Sequence, residues 1–254
     1  MLNYIKSEIY RVTHTKEIYL TAGILAALAA LLQVLLYFFG GPYRNTSFSY
    51  SNLVASPMLF GFMGGMVAVF LYEGGRRNGN LKNTVAGGVP RNKIFVGQCV
   101  VSLLTATAVM VLVMAVWIFC AEMLLPKEGP VQLSDLLMEI PMVYLTAAAC
   151  LISSVLFLEF FANSGTTIII WLSVWIFAPK LLMYLGFRFD VVYDLALWLP
   201  VNFFDLTNGA NVNTRECLTA WDTVEGAARC LIFGLVGTAV FGVLGMKLLK
   251  KRDL

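Results

Sequence analysis

Hydrophobic positions in this chain gather into long uninterrupted blocks. They do not alternate with polar positions as they would on a half-exposed helix or strand. Six blocks supply the roughly 20 apolar residues a helix needs to cross a bilayer core of about 30 Å. They cover residues 18–39, 53–72, 94–125, 140–161, 166–185 and 227–249. The third is long enough to tilt or to project beyond the membrane. Only residues 162–165 separate the fourth and fifth, so those two helices are expected to form an antiparallel pair.

The first 17 residues follow a different pattern. Leu2, Ile5, Ile9 and Val12 recur at helical spacing. Lys6, Arg11 and Lys16 can reach anionic headgroups, which predicts an amphipathic helix lying in the membrane interface. An extension of the first span is the other reading. The first apolar block follows a charged segment, lacks a clear cleavage site and is long enough to span, so a cleaved signal is not expected.

Between the second and third blocks, residues 73–93 read EGGRRNGNLKNTVAGGVPRNK. Glycine pairs and Pro90 punctuate this loop and predict a turn, one or two helical turns over 81–86, and a second turn. An ordinary basic loop explains the charge but not the segmentation. Before the last block, residues 191–206 are strongly apolar yet interrupted by Pro200, Asp194 and Asp205. One or two short helices lying at, or dipping into, the outer membrane face are expected there. A polar turn follows at 208–213.

Composition supports the membrane reading. The chain is 59% hydrophobic and 13% charged, against about 25% charged in soluble domains. Its mean hydropathy is +0.78. The blocks leave no room for a soluble catalytic domain of ordinary size. Basic residues set the orientation. With the N-terminus inside, 12 of the 18 basic residues but only five of the 15 acidic ones lie inside. This favours an even number of spans with both termini cytoplasmic.

Ionisable groups inside spans are functional candidates by default. Glu122, Glu159 and Lys180 qualify, although all three lie near span ends, where snorkelling also keeps a charge wet. A Glu122–Lys180 pair is one arrangement open to them. Small residues mark close helix contacts in lipid, as at Gly61 and Gly65 in the second span and Gly234, Thr238 and Gly242 in the last. The five cysteines show no C-x-x-C spacing, and His14 is the single histidine, so neither a redox motif nor a multi-histidine metal site is expected. Cys217 and Cys230 could bridge, but their separation does not establish the geometry, and free or buried thiols are the default expectation. An intramembrane protease needs paired Asp, Ser–His or Glu–His groups in its spans, and these are not recognisable here. A G-x-x-x-x-G-K-[ST] phosphate loop is also missing.

The run Glu73-Gly-Gly-Arg-Arg-Asn-Gly-Asn-Leu-Lys-Asn-Thr, followed by Gly88-Val-Pro-Arg-Asn-Lys-Ile, resembles the first cytoplasmic loop of ABC-2 type permeases. These are the membrane subunits of type V ABC exporters. The turn Asn163-Ser-Gly-Thr-Thr and the run Leu199-Pro-Val-Asn are also similar to that family's, especially to its small Gram-positive members in antimicrobial-peptide export and immunity. The resemblance implies a single all-α integral membrane domain over residues 1–254. It would have six transmembrane helices, an N-terminal interfacial helix carrying Ile5, Ile9, Arg11 and Val12, and short re-entrant outer helices before the last span. A cytoplasmic coupling helix would dock on an ATPase subunit through residues near Glu73, Arg76, Arg77, Leu81, Lys82 and Arg91.

By the same resemblance, the working unit pairs this chain with a second permease, identical or paralogous, and two ATPase subunits. ATP and Mg would be bound by those partners, with no cofactor on this chain and no nucleic acid involved. The expected location is the plasma membrane of a Gram-positive bacterium. The expected activity is export or clearance of a peptide antibiotic, a lipid-like molecule or another amphiphile. A membrane sensor or assembly subunit that does not transport is the alternative, with an intramembrane enzyme as a third.

Overall fold

The computed structural model describes residues 2–77, 84–161, 163–211 and 216–251; side chains at 73–77, 209–211, 216–217 and 251 lie outside that description. The described chain is built almost wholly of helices. They are α1 (Leu2–Thr13), α2 (Lys16–Phe39), α3 (Thr46–Val54), α4 (Met58–Arg77), α5 (Arg91–Leu124) and α6 (Leu133–Phe160). After these come α7 (Ser164–Gly186), α8 (Asp190–Leu197), α9 (Pro200–Thr207) and α10 (Val224–Lys251). Two three-residue strands, Gly209–Asn211 and Glu216–Leu218, pair antiparallel between α9 and α10.

Among the described residues, α2, α5, α6, α7 and α10 are long and apolar enough to cross a membrane. A sixth crossing exists if α3 and α4 count as one bent span. The distribution of side chains supports this. On α2 the buried positions are Ala22, Ala29 and Gln33, while Leu20, Ile24, Leu28, Leu31 and Leu35 face outward. A water-soluble helix turns its large apolar side chains toward the core. This helix turns them out and packs its small ones inward, as helices do in lipid.

The second predicted span, 53–72, is not one straight helix. α3 ends at Val54, and α4 starts at Met58 after a bend of 68°. Pro57 sits in the break: it donates no backbone hydrogen bond and biases Ser56 away from helical geometry. At its far end α4 continues through Gly74 and Gly75 to Arg77, so these glycines do not form the expected first turn of the loop. α6 begins at Leu133, seven residues before the predicted start of the fourth span. Pro200 opens α9 and separates it from α8, as the sequence pattern requires.

α6 is the central helix. Over half of its most apolar stretch is buried (56%), against 17% for α2, α7 and α10. α10 runs parallel to it at close range. Gly234 backs onto Leu145 and Thr146, Gly237 onto Ala149, and Thr146 Oγ1 donates to the Cys230 carbonyl at 3.1 Å. The contact face of α10 therefore runs through Gly234, Gly237 and Gly245, the last lying under the Phe95 ring. Gly242, expected on this face, has open space where a Cβ would sit.

α7 returns antiparallel to α6 through Asn163, whose side chain accepts from Gly165 N at 2.8 Å and caps α7. Ser153 on α6 then accepts from two indoles of α7, Trp171 Nε1 at 2.8 Å and Trp175 Nε1 at 2.9 Å. At one end of the bundle α3 covers the helices. Thr46 N donates to the Pro126 carbonyl at 3.0 Å, and Val131 N donates to Ser47 Oγ at 2.9 Å. Gly129, at φ +109°, makes room for Ser47.

Candidate functional site

Two places gather the candidate residues: the end of the bundle holding α1, and a cavity among α4, α5 and α6. At the first, α1 lies against the start of α5 and the end of α4. The Tyr4 ring rests on Gly97, where a Cβ would come within 2.6 Å of it. Val12 is buried, and Ile5 packs with it beside Val69, Leu71, Tyr72 and Val101. Ile9 departs from the expected stripe: it is 37% exposed. The packed face runs through Tyr4, Ile5 and Val12, rotated away from Leu2 and Ile9.

Arg11 fixes this docking. Its Nη1 donates to the Leu71 carbonyl at 3.3 Å, Nη2 and Nε donate to Glu8 Oε2 at 2.7 and 3.2 Å, and the guanidinium lies 5.3 Å from the Tyr72 ring centre. Glu159, buried at the end of α6, lies near enough to act electrostatically on Tyr4. Burial, with Glu8 adding to it, holds the Tyr4 hydroxyl protonated well above the usual tyrosine range.

From this docked end the chain leaves α4 toward the basic loop. Glu73, Arg76 and Arg77 lie on the last helical turns of α4, with their side chains outside the described residues. Leu81 and Lys82 lie wholly outside them. The described part of the predicted short helix, residues 84–86, is helical. It turns at Gly88 (φ +82°), and Pro90 caps α5. Val85 and Val89 pack on the core cluster that includes Ile94, Phe95 and Leu249. Arg91 Nη1 donates to the Lys250 carbonyl at 3.1 Å, which ties the start of α5 to the end of α10.

Gly61 and Gly65 both lie at helix contacts, but with different partners. A Cβ at Gly61 would meet Cys150 Cβ of α6 at 3.1 Å, whereas one at Gly65 would run into the Trp171 indole of α7. Glu122 and Lys180 do not meet. Glu122 pairs with Lys127 and accepts from Tyr50 OH at 2.6 Å, while Lys180 pairs with Asp205 of α9. Asn202, also on α9 and fully buried, donates to the Pro179 and Ala196 carbonyls at 2.7 and 3.0 Å. Those two contacts hold α8 and α9 against α7. Cys230 is a free buried thiol; the side chain of Cys217 lies outside the described residues.

The cavity holds the residue that sequence reasoning missed. This cavity of about 360 Å³, open on one side, is lined by Phe60 and Gly64 of α4, residues 103–118 of α5 and residues 137–151 of α6. Glu139 lines it, is 1% exposed, and has no hydrogen-bond partner for either carboxylate oxygen among the described residues. The predicted fourth span started at Ile140 and left Glu139 outside. In the structure Glu139 lies well inside α6, about 9 Å along the helix from Leu133.

No protein-family model and no curated protein matches this chain.

Proposed function

We propose that this chain is the membrane-spanning permease subunit of an ATP-driven exporter, working with a separate ATPase. The observation that supports this most is the fastening of α1 to both helices that flank the basic loop. Arg11 holds α1 to α4 through Leu71, and Tyr4 seats it on α5 at Gly97. A push on the loop then moves α1, α4 and α5 together instead of being absorbed by a slack linker. The loop sequence supplies the second support through its resemblance to the docking loop of ABC-2 permeases.

On this reading α1 lies in the inner interface, and residues 73–93 carry the coupling helix on the cytoplasmic side. α8 and α9 are the re-entrant helices at the outer face. Closure of two ATPase subunits around ATP and Mg drives the loops of two permease copies. The hinge between α3 and α4, centred on Pro57, is where the motion can change the outer end of the bundle. The cargo is an amphiphile such as a peptide antibiotic or a lipid-like molecule, moved out of or cleared from a Gram-positive plasma membrane.

Purification of the chain from its native membrane tests this. An ATPase with a phosphate loop is expected to co-purify with the wild type and to be lost from the Arg76→Glu, Arg77→Glu variant. Recovery of the folded chain without any ATPase would contradict the proposal.

A further inference from the structure

The cavity around Glu139 has a volume within the range of small-molecule sites, about 300–1,000 Å³. Small residues make its space: Gly64, Ala106, Ala115, Ala147 and Ala148 stand where larger side chains would fill it. Its wall is almost wholly apolar, apart from Glu139 and the hydrogen-bonded hydroxyls of Thr107 and Tyr144, 3.1 Å apart. At one side it is bounded by exposed residues, Val111 (64%), Leu137 (46%) and Ile140 (47%). That side is exposed and apolar, so a ligand dissolved in a bilayer would enter there.

A buried carboxylate in such a wall is costly unless a hydrogen bond or an opposite charge compensates it. Neither is present at Glu139 among the described residues. A positively charged headgroup attached to an alkyl chain satisfies both parts of the wall at once. We infer that this cavity is a binding site for lipophilic amines, with Glu139 as the counter-ion to the ammonium group and the apolar wall holding the chain. Both carboxylate oxygens are buried in this conformation, so the bound state requires the glutamate side chain to rotate toward the headgroup. The site belongs to this chain alone, so it stands or fails separately from the ATPase-driven reading.

Photolabelling of the purified chain in nanodiscs tests this. The probe is an octylammonium carrying a diazirine; the matching octyl alcohol is the control. The ammonium probe is expected to label α5 and α6 peptides that line the cavity at least about tenfold more than the alcohol. Glu139→Gln should remove that preference, and Ala115→Trp, at the exposed rim, should block labelling by both probes. Glu139→Gln keeps the side-chain shape and cannot ionise, so its thermal unfolding temperature should stay close to that of wild type. Equal labelling by the two probes, retained preference in Glu139→Gln, or labelling elsewhere would overturn the site. Adding phosphatidylethanolamine to phosphatidylcholine discs identifies the natural source. Competition assigns the amine to a lipid headgroup; unchanged labelling assigns it to a free amphiphile. Both outcomes require the Glu139 dependence.

Discussion

Arg11 on the N-terminal helix donates to the backbone carbonyl of Leu71 on α4 at 3.3 Å, across 60 residues of sequence. It does so while held by Glu8 and lying near the Tyr72 ring. A side chain anchored on three sides makes α1 part of the helix pair beneath the loop.

Arg11→Ala is therefore expected to loosen α1 from the bundle. A hydrogen bond from a charged donor contributes about 1.5–3 kcal/mol when well buried. Arg11 is partly exposed, so a loss of about 1 kcal/mol is expected in thermal unfolding. Arg11→Lys should not restore it, because a lysine cannot bond Glu8 and Leu71 with a planar fork. Faster protease cleavage within residues 78–83 of the variant would report the same loosening.

Ser153 joins α6 to α7 by accepting from Trp171 and Trp175 while donating to the Cys150 carbonyl at 2.6 Å. Ser153→Ala leaves two buried indole N–H groups without an acceptor. Each unsatisfied buried donor costs about 1–3 kcal/mol. A loss of about 2 kcal/mol or more is expected, with a changed tryptophan emission spectrum. Unchanged stability and emission would show that the indoles find other partners.

Two glycine substitutions should act with opposite signs. Gly65→Ala pushes a methyl group into the buried Trp171 ring, and overpacking of this kind costs about 1–3 kcal/mol. Gly242→Ala meets nothing within 4 Å and raises helix propensity by up to about 1 kcal/mol. Thermal unfolding of the two variants in detergent should bracket the wild type.

Lys180 and Asp205 form an ion pair between α7 and α9, but both are exposed enough for screening to weaken it. A double-mutant cycle should give a coupling below about 1 kcal/mol that fades with salt. Asn202→Ala should cost more, since the buried amide makes two hydrogen bonds to carbonyls of α7 and α8.

The six apolar blocks, the short turn at Asn163 and the break at Pro200 were legible because each depends on local sequence. The hinge before α4 was harder to see, although Pro57 is plain in the sequence. Hydrophobicity continues across it and says nothing about direction. Hydrophobicity also set the start of the fourth span at Ile140, whereas the helix starts at Leu133 and carries Glu139 inside. A capping signal was present there: Gln132 and Asp135 bond each other's backbone N–H groups.

Rotations of helices about their axes were less legible. Small residues at four-residue spacing suggested Gly234, Thr238 and Gly242, but the close parallel packing on α6 uses Gly234 and Gly237, three residues apart, while Gly245 backs onto Phe95 of α5. Lys180 has Asp205 within reach once α9 folds back on α7, a tertiary event that spacing does not encode. Likewise, Ile9 fits the helical period of the N-terminal stripe, yet Gly97 receives Tyr4 and sets the rotation of α1.

The central claim is that the loop after α4 docks on an ATPase. Photo-crosslinking residues placed in turn at 76, 77, 82 and 91, in cells carrying the intact native complex, test it most directly. The account predicts cross-links from these positions to a phosphate-loop ATPase, with a residue at 195 on α8 giving none. Cross-links to no ATPase from any loop position, in a chain that is folded and membrane-inserted, would contradict it.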